Sequence, residues 1–178
     1  VALATSEIIL NIAHASFMPA VGIGMASATL VGKYLGEKKP DKAEQVIKDA
    51  LKWSLLFMGS MGTVFIIIPG WIIPFFTNNE YIISSGIPCL QIIGVLQYFD
   101  AIGLTLFFIL PAAGNTLFPA IVNTSICWAL FLPLSYYLAI KMGMGVIGAW
   151  IAFGAWIIPF AVIMALKVRT GSWKLIEV

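Results

Sequence analysis

The sequence predicts an all-α, polytopic transmembrane helix bundle of about five spans. Of its 178 residues, 61% are hydrophobic and only 10% are charged, whereas soluble domains carry roughly a quarter charged residues. The mean hydropathy is +1.00, and too few polar side chains remain to cover a water-facing surface. The apolar runs are long and do not alternate with polar residues as the strands of a barrel do. An ordinary soluble fold is therefore excluded.

Five stretches meet the length of about 20 apolar residues that a helix needs to cross the hydrocarbon core. Prolines inside three of them predict bends, and small residues four apart predict seams where helices pack. The predicted spans are roughly residues 5–34, 53–76, 85–110, 117–140 and 144–166. The internal prolines are Pro19, Pro133 and Pro159, and the small-residue pairs are Gly22 with Ala26, Gly32 with Gly36, Gly145 with Ala149, and Gly148 with Ala152.

Residues 36–52, between the first two spans, form the one segment that resembles a soluble protein. Pro40 stands at a helix-start position, and the apolar residues after it share one helical face. We predict a cytoplasmic connector with an amphipathic helix that feeds the second span, either as a functional lever or as a solvated link whose apolar face rests on lipid headgroups. The residues of that face are Ala43, Val46, Ile47, Ala50 and Leu51.

The basic residues predict the orientation of the spans. Nine of them follow the first and fifth spans, and only Lys141 lies on the alternate side, which makes the first connector and the C-terminus cytoplasmic. The odd number of spans and the missing start methionine favour a piece of a longer protein. The nine residues are Lys33, Lys38, Lys39, Lys42, Lys48, Lys52, Lys167, Arg169 and Lys174.

Asp100 is the candidate cation- or proton-binding residue, because it lies about midway through the third span. An aspartate there costs roughly 2.5 to 3.5 kcal/mol to insert, so it must face protein or water, and burial favours its protonated form. Gln97 precedes it by one helical turn and shares its face. The alternative is a structural aspartate that is hydrogen-bonded across the bundle.

A second polar group predicts lining for a cavity. Glu7, Asn11 and His14 are spaced four and three apart on one side of the first span, and Asn123 lies in the fourth. They can form a polar track for protons or cations, or they can be ordinary packing and interface residues. Several aromatic residues can either anchor the interfaces or line a pocket for cationic drugs through cation–π contacts. The pocket candidates are Phe107, Phe108, Phe131, Tyr136 and Tyr137.

Three strings of the sequence resemble the multidrug and toxin extrusion family over nearly the whole chain. The run VGIGMASATLVGKYLGEKKPDKAEQ from Val21 is similar to the signature of the family's C-terminal half. LQYFDAIGLTLFFILPAAGNTLFPAIVN resembles the tenth span and the turn after it, with Asp100 at the position of the family's cation-binding acid. PLSYYLAIKMGMGVIGAW resembles the eleventh span and the entry to the twelfth.

The resemblance implies that residues 1–178 are spans eight to twelve of a twelve-helix antiporter, a partial six-helix lobe. Two such lobes rock about a central cavity in alternating access. It further implies drugs or organic cations as substrates, H+ or Na+ as coupling ion, no other cofactor, and a multi-pass protein of the cell membrane. Its partners are then the lipid bilayer and a missing N-terminal lobe. Leu96 replaces a tyrosine that some members carry, which weakens a sodium site more than a proton site.

Three alternatives remain open on the sequence. A related flippase for lipid-linked saccharides predicts cationic residues in the cavity, and none lies deep within a span. A membrane-embedded enzyme requires His14 or Asp100 to have a second catalytic group at the same depth. A non-transporting fragment is the third. We find no basic, aromatic-rich patch for nucleic acid and no spacing typical of metal ligands or of a nucleophile with its base.

Overall fold

The computed structural model describes residues 2–171 and Trp173, whose regular secondary structure is entirely helical. Five helical segments are long and apolar enough to cross a membrane, which confirms the predicted class and number of spans. Lys174 lies outside the described residues. The segments are α1 (Ala2–Gly36), α2 (Pro40–Ile67), α4 (Glu80–Ala112), a composite helix over Leu117–Lys141 that we term the fourth span, and α7 (Gly145–Arg169).

The second span ends nine residues earlier than the sequence predicts. Ile68 leaves the helical conformation at φ −125° and ψ 41°, because a residue that precedes proline is disfavoured in the α region. The chain restarts at Pro69 as α3 (Pro69–Ile72) and continues in a 3-10 turn over Ile73–Phe75. Of residues 68–76 only Pro69 and Ile73 are buried, so this segment forms a loop and not the end of a span.

The predicted connector is the first part of α2, which runs from Pro40 to Ile67 without a break. Its apolar face does not rest on headgroups, since Ala43, Ile47 and Ala50 are at most 3% exposed and pack in one cluster with residues of α1, α4 and α7. Only the expectation that this face rests on lipid headgroups is wrong, since the helix that feeds the second span begins where the sequence predicts it. The face is apolar because it meets other helices.

Residues 37–39 make the tight turn between α1 and α2. Lys38 adopts a left-handed conformation at φ 56°, and the backbone N–H of Lys39 reaches the carbonyl of Tyr34 at 2.8 Å. Lys39 Nζ donates to Glu37 Oε2 at 2.7 Å. This hydrogen bond lowers the pKa of Glu37 and raises the pKa of Lys39, and both side chains stay at the surface, where such pairs contribute little stability.

Helix α4 is the central element of the bundle, packed against α1, α2 and α7. Its start is fixed by Asn79, whose side-chain oxygen accepts hydrogen bonds from the backbone N–H groups of Tyr81 and Ile82. It crosses α2 at Gly94, where an added Cβ would lie 2.7 Å from the carbonyl oxygen of Gly62. Two backbones can approach this closely only where neither residue carries a side chain.

The predicted packing seams are confirmed at one of four places, Gly148 with Ala152, and in part at Gly32. A Cβ on Gly148 would meet the backbone of Leu138 at 2.8 Å, and one on Gly32 would lie 3.4 Å from the carbonyl of Ala112. Gly22, Gly36 and Gly145 have no neighbour within 4 Å, so the predicted seams are wrong at these three glycines. Spacing identified a small-residue face but not whether another helix covers it.

The fourth span is helical but irregular. Two π-helical segments, Cys127–Phe131 and Tyr137–Lys141, flank the short helix α6 (Leu132–Tyr136), while α5 (Leu117–Ile126) precedes them. Pro133 has no N–H to donate, and the N–H of Leu132 bonds to Cys127, five residues back. The predicted bend at this proline is thus a change of helix type.

Candidate functional site

A cavity of about 370 Å³ lies between α1, α4, the fourth span and α7. Its size suits a small organic ligand, and its wall is mostly apolar and aromatic. The wall carries one carboxylate, one imidazole and one carboxamide among the described residues. The lining residues are His14, Phe17, Met18, Val21, Asp100, Leu104, Phe107, Asn123, Phe153, Trp156, Ile157 and Phe160.

Asp100 is the acidic group of this wall. It is half-buried in the middle third of α4, the most enclosed of the five spans. His14 comes to the same cavity from α1 and Asn123 comes from the fourth span. The structure therefore unites three of the predicted site residues that lie far apart in sequence.

Gln97 lies behind the cavity wall and not on it, with a side chain that is only 1% exposed. Its Nε2 donates a hydrogen bond to Ser16 Oγ of α1, and Ser16 Oγ donates to the carbonyl of Ala13 at 2.9 Å. Gln97 and Asp100 both border a smaller void of about 10 Å³ between α4, α1 and α7. The predicted pair therefore shares this small void, whereas only Asp100 also borders the large cavity.

Glu7 and Asn11 do not reach the cavity. Both side chains are exposed on α1, and neither borders the large cavity that His14 borders. They share the helical face of His14, but Asn11 and Glu7 lie one and two turns closer to the N-terminal end of α1. The polar track predicted from their spacing is therefore reduced, at this cavity, to His14.

Asn123 holds the fourth span to α7. Its Oδ1 accepts a hydrogen bond from Trp156 Nε1 at 3.2 Å, which orients both side chains on the cavity wall. Trp156 also packs edge-on against Phe153, with ring centroids 5.2 Å apart, and Phe131 stacks near both rings. Phe131 itself does not line the cavity, and the aromatic wall is built chiefly by α7, which supplies three of its five aromatic rings.

The sequence identified only part of this aromatic wall. Of the predicted aromatic candidates, Phe107 lines the cavity, whereas Tyr136 and Tyr137 are each 55% exposed and do not. The missed lining residues Phe153 and Trp156 are three apart on α7, a spacing that places them on one face. That spacing was available in the sequence, but it does not show which way the face points. Phe17 and Phe160 complete the missed aromatic lining.

The cavity has the chemistry of a site for a monovalent cation. A single carboxylate among aromatic rings supplies one negative charge together with π faces that attract cations. Among the described residues, no cluster of three or more His, Cys, Asp or Glu side chains could hold a metal ion. Cys89 and Cys127 are both unpaired thiols that lie apart from this wall.

Five membrane-length helices packed into one bundle define a multi-pass α-helical membrane protein. Comparison with known families then gives the specific assignment: the family model described as MatE matches residues 1–137. The chain belongs to the MatE family. This confirms the resemblance seen in the three sequence strings.

Individual relatives extend the match to most of the chain. The "Probable multidrug resistance protein NorM" of Thermotoga maritima is 35% identical over 165 residues, covering 93% of this chain and 36% of the relative. The "Multidrug resistance protein NorM" of Burkholderia vietnamiensis is 29% identical over 180 residues, covering 98% and 39%. The "Uncharacterized transporter YisQ" of Bacillus subtilis is 26% identical over 174 residues. The chain thus spans little more than a third of the length of these relatives.

A solved structure shows the same fold. The chain superimposes on the eukaryotic MATE transporter AtDTX14 with a TM-score of 0.90 at 19% sequence identity. The match covers 97% of this chain and 39% of that protein. The helix arrangement described above is therefore that of part of a MATE transporter.

Proposed function

We propose that this chain is the C-terminal portion of a secondary active antiporter of the cell membrane, which exports drugs or organic cations in exchange for H+ or Na+. The observation that carries the proposal is Asp100, a carboxylate on the wall of an aromatic-lined cavity inside a membrane bundle. The relatives named for multidrug resistance support the same class of substrate.

Asp100 couples the ion to the substrate in this proposal. A proton or sodium ion that moves down its gradient neutralises the carboxylate, and an organic cation competes for the same negative charge. A ligand can shift a two-state equilibrium only by its different affinity for the two states. Because one charge is gained or lost inside the bilayer, loading of Asp100 provides that difference.

The aromatic side chains of the cavity recognise the organic part of the substrate. Phe107, Phe153 and Trp156 present ring faces and edges to the same space as Asp100. A flat cation with an aromatic portion gains stacking and cation–π contacts there without a fixed set of hydrogen-bond donors. Broad selectivity follows from this wall, because apolar contacts discriminate weakly between shapes.

The remaining parts of the antiporter complete the transport cycle. The basic residues place the C-terminus and the α1–α2 turn in the cytoplasm. An N-terminal lobe of similar design forms the other half of the cavity, and the two lobes rock about the bound ligand. This agrees with the share of the relatives that the chain covers.

Drug efflux from proteoliposomes that contain the complete transporter tests the proposal. Asp100→Asn keeps the size of the side chain but removes its charge, and we expect gradient-driven export to fall at least tenfold. Glu7→Gln is the matched control, since it neutralises an exposed carboxylate of α1 that does not border the cavity. Unchanged export by the Asp100→Asn protein would overturn the role of this residue.

Imposed gradients separate the coupling ions and the alternative functions. Export driven by a pH gradient alone assigns H+, and export driven by a sodium gradient alone assigns Na+. Turnover of substrate without either gradient would instead favour an enzyme that uses Asp100 and His14. A saccharide flippase is disfavoured by the cavity wall, whose described residues include neither lysine nor arginine.

A further inference from the structure

The buried amide of Gln97 has a defined orientation. Ser16 has one hydroxyl proton, and it is donated to the carbonyl of Ala13 at 2.9 Å. Ser16 Oγ can therefore only accept from Gln97, so the partner atom is Nε2 and not Oε1. Gln97 Oε1 consequently points away from Ser16.

Gln97 Oε1 has no donor among the described residues. A buried acceptor without a partner is costly, so such atoms in native proteins generally have one. The amide borders the small void of about 10 Å³, and apart from Asp100 the other residues around that void are apolar. These are Phe17, Ile93, Leu96, Phe153 and Ile157. Asp100 is thus the neighbour that can supply a donor, and it has one only when its carboxyl carries a proton.

We propose that Gln97 Oε1 accepts a hydrogen bond from the protonated carboxyl of Asp100, which makes Gln97 a positioning residue for the proton. The two residues are three apart on α4, a spacing that places their side chains on neighbouring parts of one face. The void between them is at the lower limit for a single water. Because the gap is this small, a change in the side-chain torsions of Asp100 can bring its carboxyl to the amide of Gln97.

The hydrogen bond joins the protonation of Asp100 to α1. In the protonated state the hydrogen bonds form a chain: Asp100 donates to Gln97, Gln97 donates to Ser16, and Ser16 donates to the Ala13 carbonyl. In the charged state, two acceptors face each other across the void, and the contact between α4 and α1 is weakened. The proton comes from water in the large cavity and returns to it.

Other ionisable groups near Asp100 are few. On the cavity wall, α1 contributes His14, whereas the fourth span contributes the neutral Asn123 and α7 contributes the neutral Trp156. His14 borders the large cavity but not the small void. A change at Gln97 therefore acts on Asp100 without passing through a second titrating group.

Infrared spectroscopy of the complete transporter in lipid nanodiscs tests the hydrogen bond. The absorption of the protonated Asp100 carboxyl is isolated by subtracting the spectrum of Asp100→Asn, and its loss is followed as the pH rises. Gln97→Met has similar length but no acceptor. We expect the protonated band of this variant to disappear at a pH roughly 0.5 to 1 unit lower than the wild-type band, as one lost hydrogen bond predicts. Because the acceptor is lost, the frequency of the band should also differ from that of the wild type.

Two further variants keep the test specific. Thr105→Val removes a buried interhelical hydrogen bond of the same helix, to Ser54 at 2.8 Å, and should leave the titration of Asp100 unchanged. Ser16→Ala frees the amide to rotate and should produce a smaller shift in the same direction. The proposal would be overturned if Gln97→Met leaves the pH midpoint of the Asp100 titration unchanged or raises it. It would also be overturned if Gln97→Met lowers the midpoint no more than Thr105→Val does.

The role of this hydrogen bond in coupling depends on the proposed antiport, but the infrared measurement does not. If Asp100→Asn exports normally while Gln97→Met shifts the carboxyl titration, the antiport mechanism fails and the hydrogen bond stands. If Asp100→Asn abolishes export and Gln97→Met leaves the titration unchanged, the hydrogen bond fails and the role of Asp100 in antiport stands.

Discussion

Helix α4 and the fourth span are both apolar helices of membrane length, yet they have opposite surroundings. In the most apolar window of α4, 50% of the residues are buried inside the protein, against 11% in the fourth span. Small residues let α4 approach its neighbours closely, as at Gly94. The fourth span presents large side chains outward, such as Trp128, which is 69% exposed. Apolar composition therefore indicates immersion in lipid, whereas close packing occurs where small residues of two helices meet, as at Gly94 and Gly62.

The largest expected effect is at the contact of α4 with α2. In Gly94→Val, the new side chain meets the Gly62 carbonyl and the Ile66 side chain, each 2.7 Å from the added Cβ. We expect a destabilisation of about 3 kcal/mol, because an overpacked backbone contact cannot relax. Thermal unfolding in nanodiscs measures it. Gly22→Val is the matched control, since nothing lies within 4 Å of that position, and equal losses in the two variants would contradict the assigned contact.

A moderate effect is expected at the buried hydroxyl pair that also joins α4 to α2. Thr105 Oγ1 donates to Ser54 Oγ at 2.8 Å, and both residues are fully buried. Thr105→Val keeps the shape and removes the donor, which should cost about 0.5 to 1 kcal/mol. A double-mutant cycle with Ser54→Ala checks the pair. Additive losses would show that the two hydroxyls do not interact.

A smaller effect is expected where the fourth span is held to α7. Trp156→Phe removes the donor to Asn123 and keeps an aromatic ring, so hydrogen–deuterium exchange should become several-fold faster in the fourth span and stay unchanged in α4. Trp150→Phe makes the same chemical change at an indole N–H that has no partner among the described residues. Faster exchange in both variants would point to ring packing and not to the hydrogen bond.

The smallest effect is expected on the outer face of the fourth span. Trp128→Leu exchanges one apolar group for another at a position that is 69% exposed, and we expect the unfolding free energy to change by less than about 0.5 kcal/mol. A loss as large as that of Gly94→Val would mean that this face is packed as tightly as α4. The comparison between the two helices would then fail.

The site was only partly predictable from the sequence. Asp100 could be identified because a charge in the middle of an apolar span is costly wherever the helix packs. Ser16 was missed, although it orients Gln97, because a small polar residue within a span has no pattern of its own. Glu7 and Asn11 share a face with His14, but the cavity extends only to His14.

The sequence by itself determined the lipid surroundings, the number of spans and the acidic residue in the middle of a span, because hydropathy, helix length and the cost of a charge are properties of local composition. The tertiary structure decided that other helices cover the apolar start of α2, that Gly94 meets Gly62, and that His14, Asp100 and Asn123 share a cavity. Each of these depends on how helices distant in the chain rotate and approach one another. A period of 3.6 residues defines a face, but the neighbour of that face is chosen by packing across the whole bundle.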